Sequence, residues 1–240
     1  MRKYYNLSSS QFVDYLGFNK YLKGKGTHGR RNTRLKMDIT GEIQEISSYI
    51  QPYVEYGKDN EINALKSYAD YRGKKGKDFY FILDNQKSFE VHNWTQLAKG
   101  FVSLSSTPDG ITDCFKTLVE CKCGKLGKDI YTLDEIKTKY TTQIYGQQMC
   151  LKMLRYPIEQ THFVNWSPHK VQVYEIKTNP EYEKYLILRL EEYANALLES
   201  KEFKQPTEEF VVDDKLFNLI HEVENEWVST QKPRGQSLCQ

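Results

Sequence analysis

The stretch Ser106-Thr107-Pro108-Asp109-Gly110-Ile111-Thr112-Asp113-Cys114-Phe115-Lys116-Thr117-Leu118-Val119-Glu120-Cys121-Lys122-Cys123 decides how the rest of this chain is read. It opens on a tight turn, in which Pro108 presets φ and Gly110 relieves the steric cost of the bend. It closes on a β-prone run that is apolar around two charges. Side chains alternate along a strand, so Glu120 and Lys122 share one face while Cys121 points to the other. Asp109 and Glu120 then converge on one hard cation with an ammonium beside them. Oxygen donors suit Mg²⁺ or Mn²⁺, which bind through a few carboxylates, water and substrate phosphate. Alone, Pro-Asp-Gly is an ordinary turn and Glu-x-Lys an ordinary solvated strand face. An ion pair on a central strand is costly unless it is used, so order and apolar flanks favour the functional reading.

Three further stretches occur in a fixed order around it. Leu7-Ser8-Ser9-Ser10-Gln11-Phe12 is followed by Leu16-Gly17-Phe18-Asn19-Lys20-Tyr21. Gly57-Lys58-Asp59-Asn60-Glu61-Ile62-Asn63-Ala64-Leu65, with Tyr68, reads as an acidic helix. Tyr140-Thr141-Thr142-Gln143-Ile144-Tyr145-Gly146-Gln147 reads as a helix carrying two glutamines. The four collinear blocks resemble the PD-(D/E)xK nuclease superfamily, and within it the lambda-exonuclease-like, or YqaJ viral recombinase, family. The resemblance covers residues 7 to about 150. Three departures stand out. The family's arginine ahead of the opening serine has only Arg2 and Lys3 as counterparts, Lys-Cys-Gly replaces Lys-Cys-Pro, and residues 72–97 do not align.

The resemblance implies a restriction-endonuclease-like core, a central mixed β-sheet flanked by helices. It implies a processive 5′-to-3′ exonuclease on linear double-stranded DNA that leaves 3′ tails for recombination. Two Mg²⁺ ions, replaceable by Mn²⁺, are expected. Asp109 would bridge them, Glu120 and the Cys121 carbonyl would complete the site, and Glu61 would reach the second ion. Lys122 would orient or deprotonate the attacking water, with Gln143 holding Lys122 or that water in place. Ser10 and Gln147 would face DNA. The expected partners are double-stranded DNA ends and a single-strand annealing protein, with a ring-shaped homotrimer as the assembly. Two alternatives stay open: a PD-(D/E)xK endonuclease of restriction, junction-resolving or cap-snatching type, and an inactive DNA-binding relative.

Composition is compatible with this. A chain of 240 residues is long enough for one large α/β domain, expected over 1–228 and followed by a polar tail from Ser229. No run approaches the roughly 20 apolar residues of a membrane span, and no apolar leader opens the chain. Five cysteines, an odd count, read as small buried hydrophobes in a reducing, intracellular setting. Cys114, Cys121 and Cys123 lack zinc-ligand spacing. The net charge of +2 is uneven: residues 181–240 hold seven Lys/Arg against thirteen Asp/Glu, or −6, which leaves +8 on the first 180. Residues 23–36 carry six cations and no acid, among Gly24, Gly26 and Gly29. They read as a mobile basic loop whose Arg30, Arg31 and Arg34 track DNA phosphates, the alternative being a solvated connection.

Hydrophobic periodicity completes the expectation. Helices are expected over Ser10–Tyr15, with Ser8 or Ser9 as N-cap, over 42–56, 59–71 and 133–156, and from Asn179-Pro180-Glu181 onward. Strands are expected at 79–83, 100–104, 118–123, 162–166 and 171–176, the last two joined by a turn at Ser167-Pro168-His169.

Overall fold

The computed structural model describes residues 3–43, 47–74, 80–81, 88–97, 100–112 and 114–224. In chain order these form β1 (Lys3–Ser8), a 3₁₀ turn (Ser9–Gln11), α1 (Phe12–Tyr15), α2 (Gly26–Thr40) and α3 (Gln51–Lys74). Then come β2 (Tyr80–Phe81), β3 (Phe89–Leu97), β4 (Gly100–Ser106), β5 (Gly110–Ile111), β6 (Thr117–Cys123) and α4 (Leu133–Met153). The last are β7 (Gln160–Trp166), β8 (Lys170–Lys177), α5 (Pro180–Glu199) and β9 (Phe217–Glu224). The chain is an α/β protein with mixed sheets flanked by helices. One sheet has three strands in the order β1-β4-β3; the other has six, in the order β2-β5-β6-β7-β8-β9. β6 and β7 pair in parallel, as do β1 and β4, and the other ladders are antiparallel. No helix among the described residues is long and apolar enough to cross a membrane.

β6 shows why these residues give this architecture. Val119 and Cys121 pack with Ala64, Leu65 and Tyr68 of α3 and with Val164 and Val173 of the neighbouring strands. Leu118, two residues from Glu120, packs on the opposite face against Leu151 of α4. The strand is therefore covered on both sides, as a central strand with a parallel neighbour requires. A larger cluster joins Val102 and Leu104 of β4, Ile144 and Tyr145 of α4, Phe163 and Ile176 of the six-stranded sheet, and Leu186, Leu190 and Tyr193 of α5. Each large side chain buried this way contributes about 1.5–3 kcal/mol.

Several expectations are corrected. The basic loop expected over 23–36 is the helix α2 from Gly26 onward. A side chain at Gly24 would sit 2.4 Å from the Gly29 carbonyl carbon. These glycines permit a close backbone approach rather than mobility. The helices expected over 42–56 and 59–71 are one helix starting at Gln51, and Gly57 lies within it with nothing near its Cβ position. Ser8 takes the N-cap position of the 3₁₀ turn without a side-chain cap; its hydroxyl instead meets that of Ser10 at 3.0 Å. β1, β3, β5 and β9 had no counterpart in the expected strands. Of the strand expected at 79–83 only Tyr80–Phe81 is described, and the tail from Ser229 lies outside the described residues. The Asn179 cap holds, its side chain accepting from the Glu181 and Tyr182 N–H groups. Cys121 and Cys150 are buried as expected, whereas Cys114 is exposed.

Candidate active site

The sequence between β4 and β6 builds one corner of the molecule. β4 belongs to the three-stranded sheet, and after Thr107-Pro108-Asp109 the chain enters β5 of the six-stranded sheet. Asp109 thus sits where the chain passes from one sheet to the other. β5 pairs with β6 only at Gly110–Val119 and Ile111–Leu118. Beyond that point the Asp109 carboxylate takes over, its Oδ2 accepting from the Cys121 N–H at 2.7 Å. The turn aspartate is locked to the strand that carries Glu120 and Lys122.

α4 runs over the other face of β6 and places one stripe of side chains against it. Tyr140 meets Lys122, Gln143 and Gln147 meet Glu120, and Leu151 meets Leu118. The match is geometric. Eleven helical residues span about 16 Å, and four strand residues about 13 Å, so a helix antiparallel to the strand keeps these contacts in step. A capping box between Thr132 and Glu135 starts α4. Gly146 lets the 3₁₀ turn approach: a Cβ there would lie 2.6 Å from the Phe12 ring and 3.4 Å from Ser9. Ser10 is exposed on that turn, near the α4 side of the site.

Glu120 is 1% exposed and fully engaged. Its Oε1 accepts from Gln143 Nε2 at 2.6 Å and from the Lys122 ammonium; its Oε2 accepts from Gln147 Nε2 at 2.6 Å. A buried carboxylate persists only when its oxygens are so supplied. Lys122 also lies 5.4 Å from the centre of the Tyr140 ring. Burial works against its charge, but the carboxylates of Glu120 and Asp109 outweigh burial and hold the ammonium above the usual lysine range. With both carboxylates uncompensated by a cation, Lys122 acts as a donor and a positive charge.

Asp109 is pushed well above the usual carboxylate range, by burial first and then by the neighbouring Glu120 charge. Glu61 on α3 is raised too, through burial and through Glu120, while Lys122 opposes. Counted as formal charges with every acid ionised, three acids around one ammonium give −3 + 1 = −2, and burial and mutual repulsion raise the pKa of two of those acids. A divalent cation would discharge that surplus, and hard carboxylate oxygens are the donors it takes. Among the described residues, however, no three acidic, His or Cys side chains gather closely enough to hold a metal. Asp109 and Glu120 interact electrostatically, and Glu61 stands within reach of both. Two carboxylates plus water and phosphate oxygens is how Mg²⁺ is commonly held, so the residues present fit one such ion.

Arg30, Arg31 and Arg34 are directed inward. Arg31 is 2% exposed and donates to the Tyr15, Arg189 and Thr207 oxygens, with its guanidinium 3.7 Å from the Phe203 ring centre. Arg34 pairs with Asp14 at 3.3 Å and Asp38 at 2.9 Å. Arg30 donates to the Gly17 carbonyl at 2.6 Å. For Arg31 and Arg34 the phosphate-tracking reading is replaced by one in which they tie α2 to α1 and, through Arg31, to α5, whereas Arg30 is half-buried and bonded through Nε alone.

Two residues of the site were not singled out beforehand. Tyr140 walls the Lys122 ammonium, and Asn165, which pairs with Lys122 across the ladder, clamps the chain behind that wall. Asn165 accepts from the Tyr131 N–H at 3.0 Å and donates to its carbonyl at 2.7 Å, and Tyr131 packs edge-on against Tyr140. A Tyr three residues before Gln143 was the available signal, since i and i+3 share a helix face. Compared with protein-family models, with curated proteins and with solved structures, the chain finds no significant match.

Proposed function

We propose that this protein is a Mg²⁺-dependent phosphodiesterase with a restriction-endonuclease-like core of the PD-(D/E)xK type. Its expected substrate is linear double-stranded DNA, degraded from the 5′ end to leave 3′ single-stranded tails. The observation that carries the chemistry is the corner at Asp109. There a turn carboxylate is bonded to the backbone of the strand whose next two same-face residues are a buried glutamate and its lysine. Polarity, the use of the tails by an annealing protein, and a ring-shaped trimer rest on the sequence resemblance.

When bound, Mg²⁺ would polarise the scissile phosphate and lower the pKa of a water. Asp109 and Glu120 would hold it. Lys122 would keep its proton, orient the attacking water as a donor, and stabilise charge that grows on the phosphate. Gln143 and Gln147 fix the Glu120 carboxylate, which would hold the ion together with Asp109.

End-labelled linear duplex, with 5′-phosphate or 5′-hydroxyl ends, should be shortened in Mg²⁺ and left intact with chelator. A supercoiled plasmid should survive. Nicking of the plasmid would replace the exonuclease by an endonuclease. DNA binding without cleavage in either Mg²⁺ or Mn²⁺ would reduce the chain to a binding module.

A further inference from the structure

A cavity of about 670 Å³ opens between the turn after α1, the helix α2 and the start of α3. That lies within the size range of small-ligand sites, roughly 300–1,000 Å³. Its rim is apolar and open: Tyr21 is 78% exposed, Ile43 90% and Tyr49 76%. Tyr21, Ile43, Ile50 and Val54 line it. Tyr49, in the turn before α3, and Tyr53, in its first turn, each precede a lining residue, Ile50 and Val54, and their ring centres are 6.0 Å apart. Three of the eleven exposed large hydrophobic side chains among the described residues line this opening, and two more, Tyr49 and Tyr53, adjoin its lining residues in the chain. Exposed apolar patches of this kind mark interaction sites.

The floor is polar but poor in free positive charge. Gln11, Asp14, Asn19 and Arg34 form it, with Glu42 also lining the space. Arg34 is already paired with Asp14 and Asp38, so a phosphate would meet net acid there. The exposed ammoniums lie outside, at Lys20, Lys23 and Lys25, on either side of Tyr21 in the chain. The occupant that fits this division has a flat neutral ring with hydrogen-bonding edges, and a phosphate beyond it. That is a nucleotide whose base is unpaired, since a stacked and paired base cannot enter. Two elements that line the cavity also lead to the candidate active site. Gln11 follows Ser10 in the 3₁₀ turn against α4, and Val54 lies two helical turns before Glu61 on α3.

We propose that this cavity receives one unpaired base of the DNA strand handled at the active site, with the adjoining phosphates on Lys20, Lys23 and Lys25. The inference rests on the nuclease reading and narrows its substrate to ends that fray or are single-stranded.

The test is binding by the full chain, in chelator, of a short single-stranded oligonucleotide carrying 2-aminopurine, compared with the same strand made abasic. The wild type should quench the 2-aminopurine and bind the abasic strand more weakly. Combining Tyr21→Ala, Tyr49→Ala and Tyr53→Ala should weaken binding by roughly 10- to 100-fold, the scale of lost base stacking. The thermal midpoint and the salt dependence should stay unchanged. Combining Lys20→Gln, Lys23→Gln and Lys25→Gln should instead flatten the salt dependence. Equal binding of normal and abasic strands, or an unaffected tyrosine variant, overturns the proposal. So does a tyrosine variant that alters only the self-association of the chain, because the rim would then be a contact between copies. No hydrolysis is measured here. Base-dependent binding by a protein that never cuts would remove the nuclease reading and keep the base site; cutting without base dependence would do the reverse.

Discussion

Replacing Asp109 with Asn keeps an acceptor for the Cys121 N–H and removes a charge that burial and Glu120 both disfavour. Asp109→Asn should fold, lose hydrolysis, and no longer be stabilised by Mg²⁺. In the wild type that stabilisation reaches about 2.7 kcal/mol at a hundredfold excess over Kd, and calorimetry with and without Mg²⁺ reads it. An equal Mg²⁺ shift in both proteins would place the ion elsewhere. Lys122→Ala should slow cleavage by roughly 10²–10⁴-fold, the range for a positioned proton-bearing group. The Tyr140 ring near that ammonium supplies a finer test. Tyr140→Phe keeps the aromatic face and should stay close to wild-type rate. Tyr140→Leu loses a contact of about 1–2 kcal/mol in a desolvated setting and should slow cleavage several-fold with KM little changed. Equal rates for the two variants would make Tyr140 mere packing. Asp109, Glu120 and Lys122 were legible because their relation is local, a turn followed by strand alternation. Gln143 was expected to hold Lys122 or the water and Gln147 to face DNA; both instead donate to Glu120, with Gln147 fully buried, because nothing in the spacing tells which stripe of α4 is buried.

α2 and α4 are held by contacts that local sequence disguises. Arg31 joins α2 to the end of α1, to α5 and to the 203–207 segment through buried hydrogen bonds. Arg31→Ala strands those acceptors and should cost about 2–3 kcal/mol, seen as a lower urea midpoint. The slope of log DNA affinity against log salt should not move; a slope smaller by about 0.9 would return Arg31 to the phosphates. Gly146→Ala drives a methyl into the Phe12 ring. It should cost about 1–3 kcal/mol through overpacking and lower activity beyond its effect on folding, since the glutamine stripe lies beside it. The strands that were foreseen, β4, β6, β7 and β8, have buried apolar runs. β9 was not, because it is an edge strand with a largely exposed pattern and acids at its end. β3 was missed for a related reason: an edge strand with an irregular register between Val91 and Thr95 shows no clean period of two. The glycines that hid α2 and split α3 were weighed as breakers. Only a tertiary contact between Gly24 and Gly29 reveals one pair as a packing device.

The two sheets share one buried cluster, in which Leu104 of the smaller sheet and Phe163 of the larger both take part. Leu104→Ala should therefore lower the same cooperative transition as Leu65→Ala, which lies under the larger sheet, each by about 2–5 kcal/mol. Near- and far-UV circular dichroism should coincide through urea unfolding, and two separated steps would mean that the sheets unfold as independent units. The α/β layering was legible in the whole chain from alternating strand and helix patterns. The division into two sheets was not, since it depends on which strands pair across long separations. Asp109 stands at the joint between them, so it works like the pointer of a strain gauge. Tilt one sheet against the other by a small angle and the strain falls on the Asp109–Cys121 bond that joins the turn to the Glu120 strand, while every strand ladder stays intact. Ligands, crowding or mild denaturant that alter that angle should register as changes in turnover well before any spectroscopic sign of unfolding.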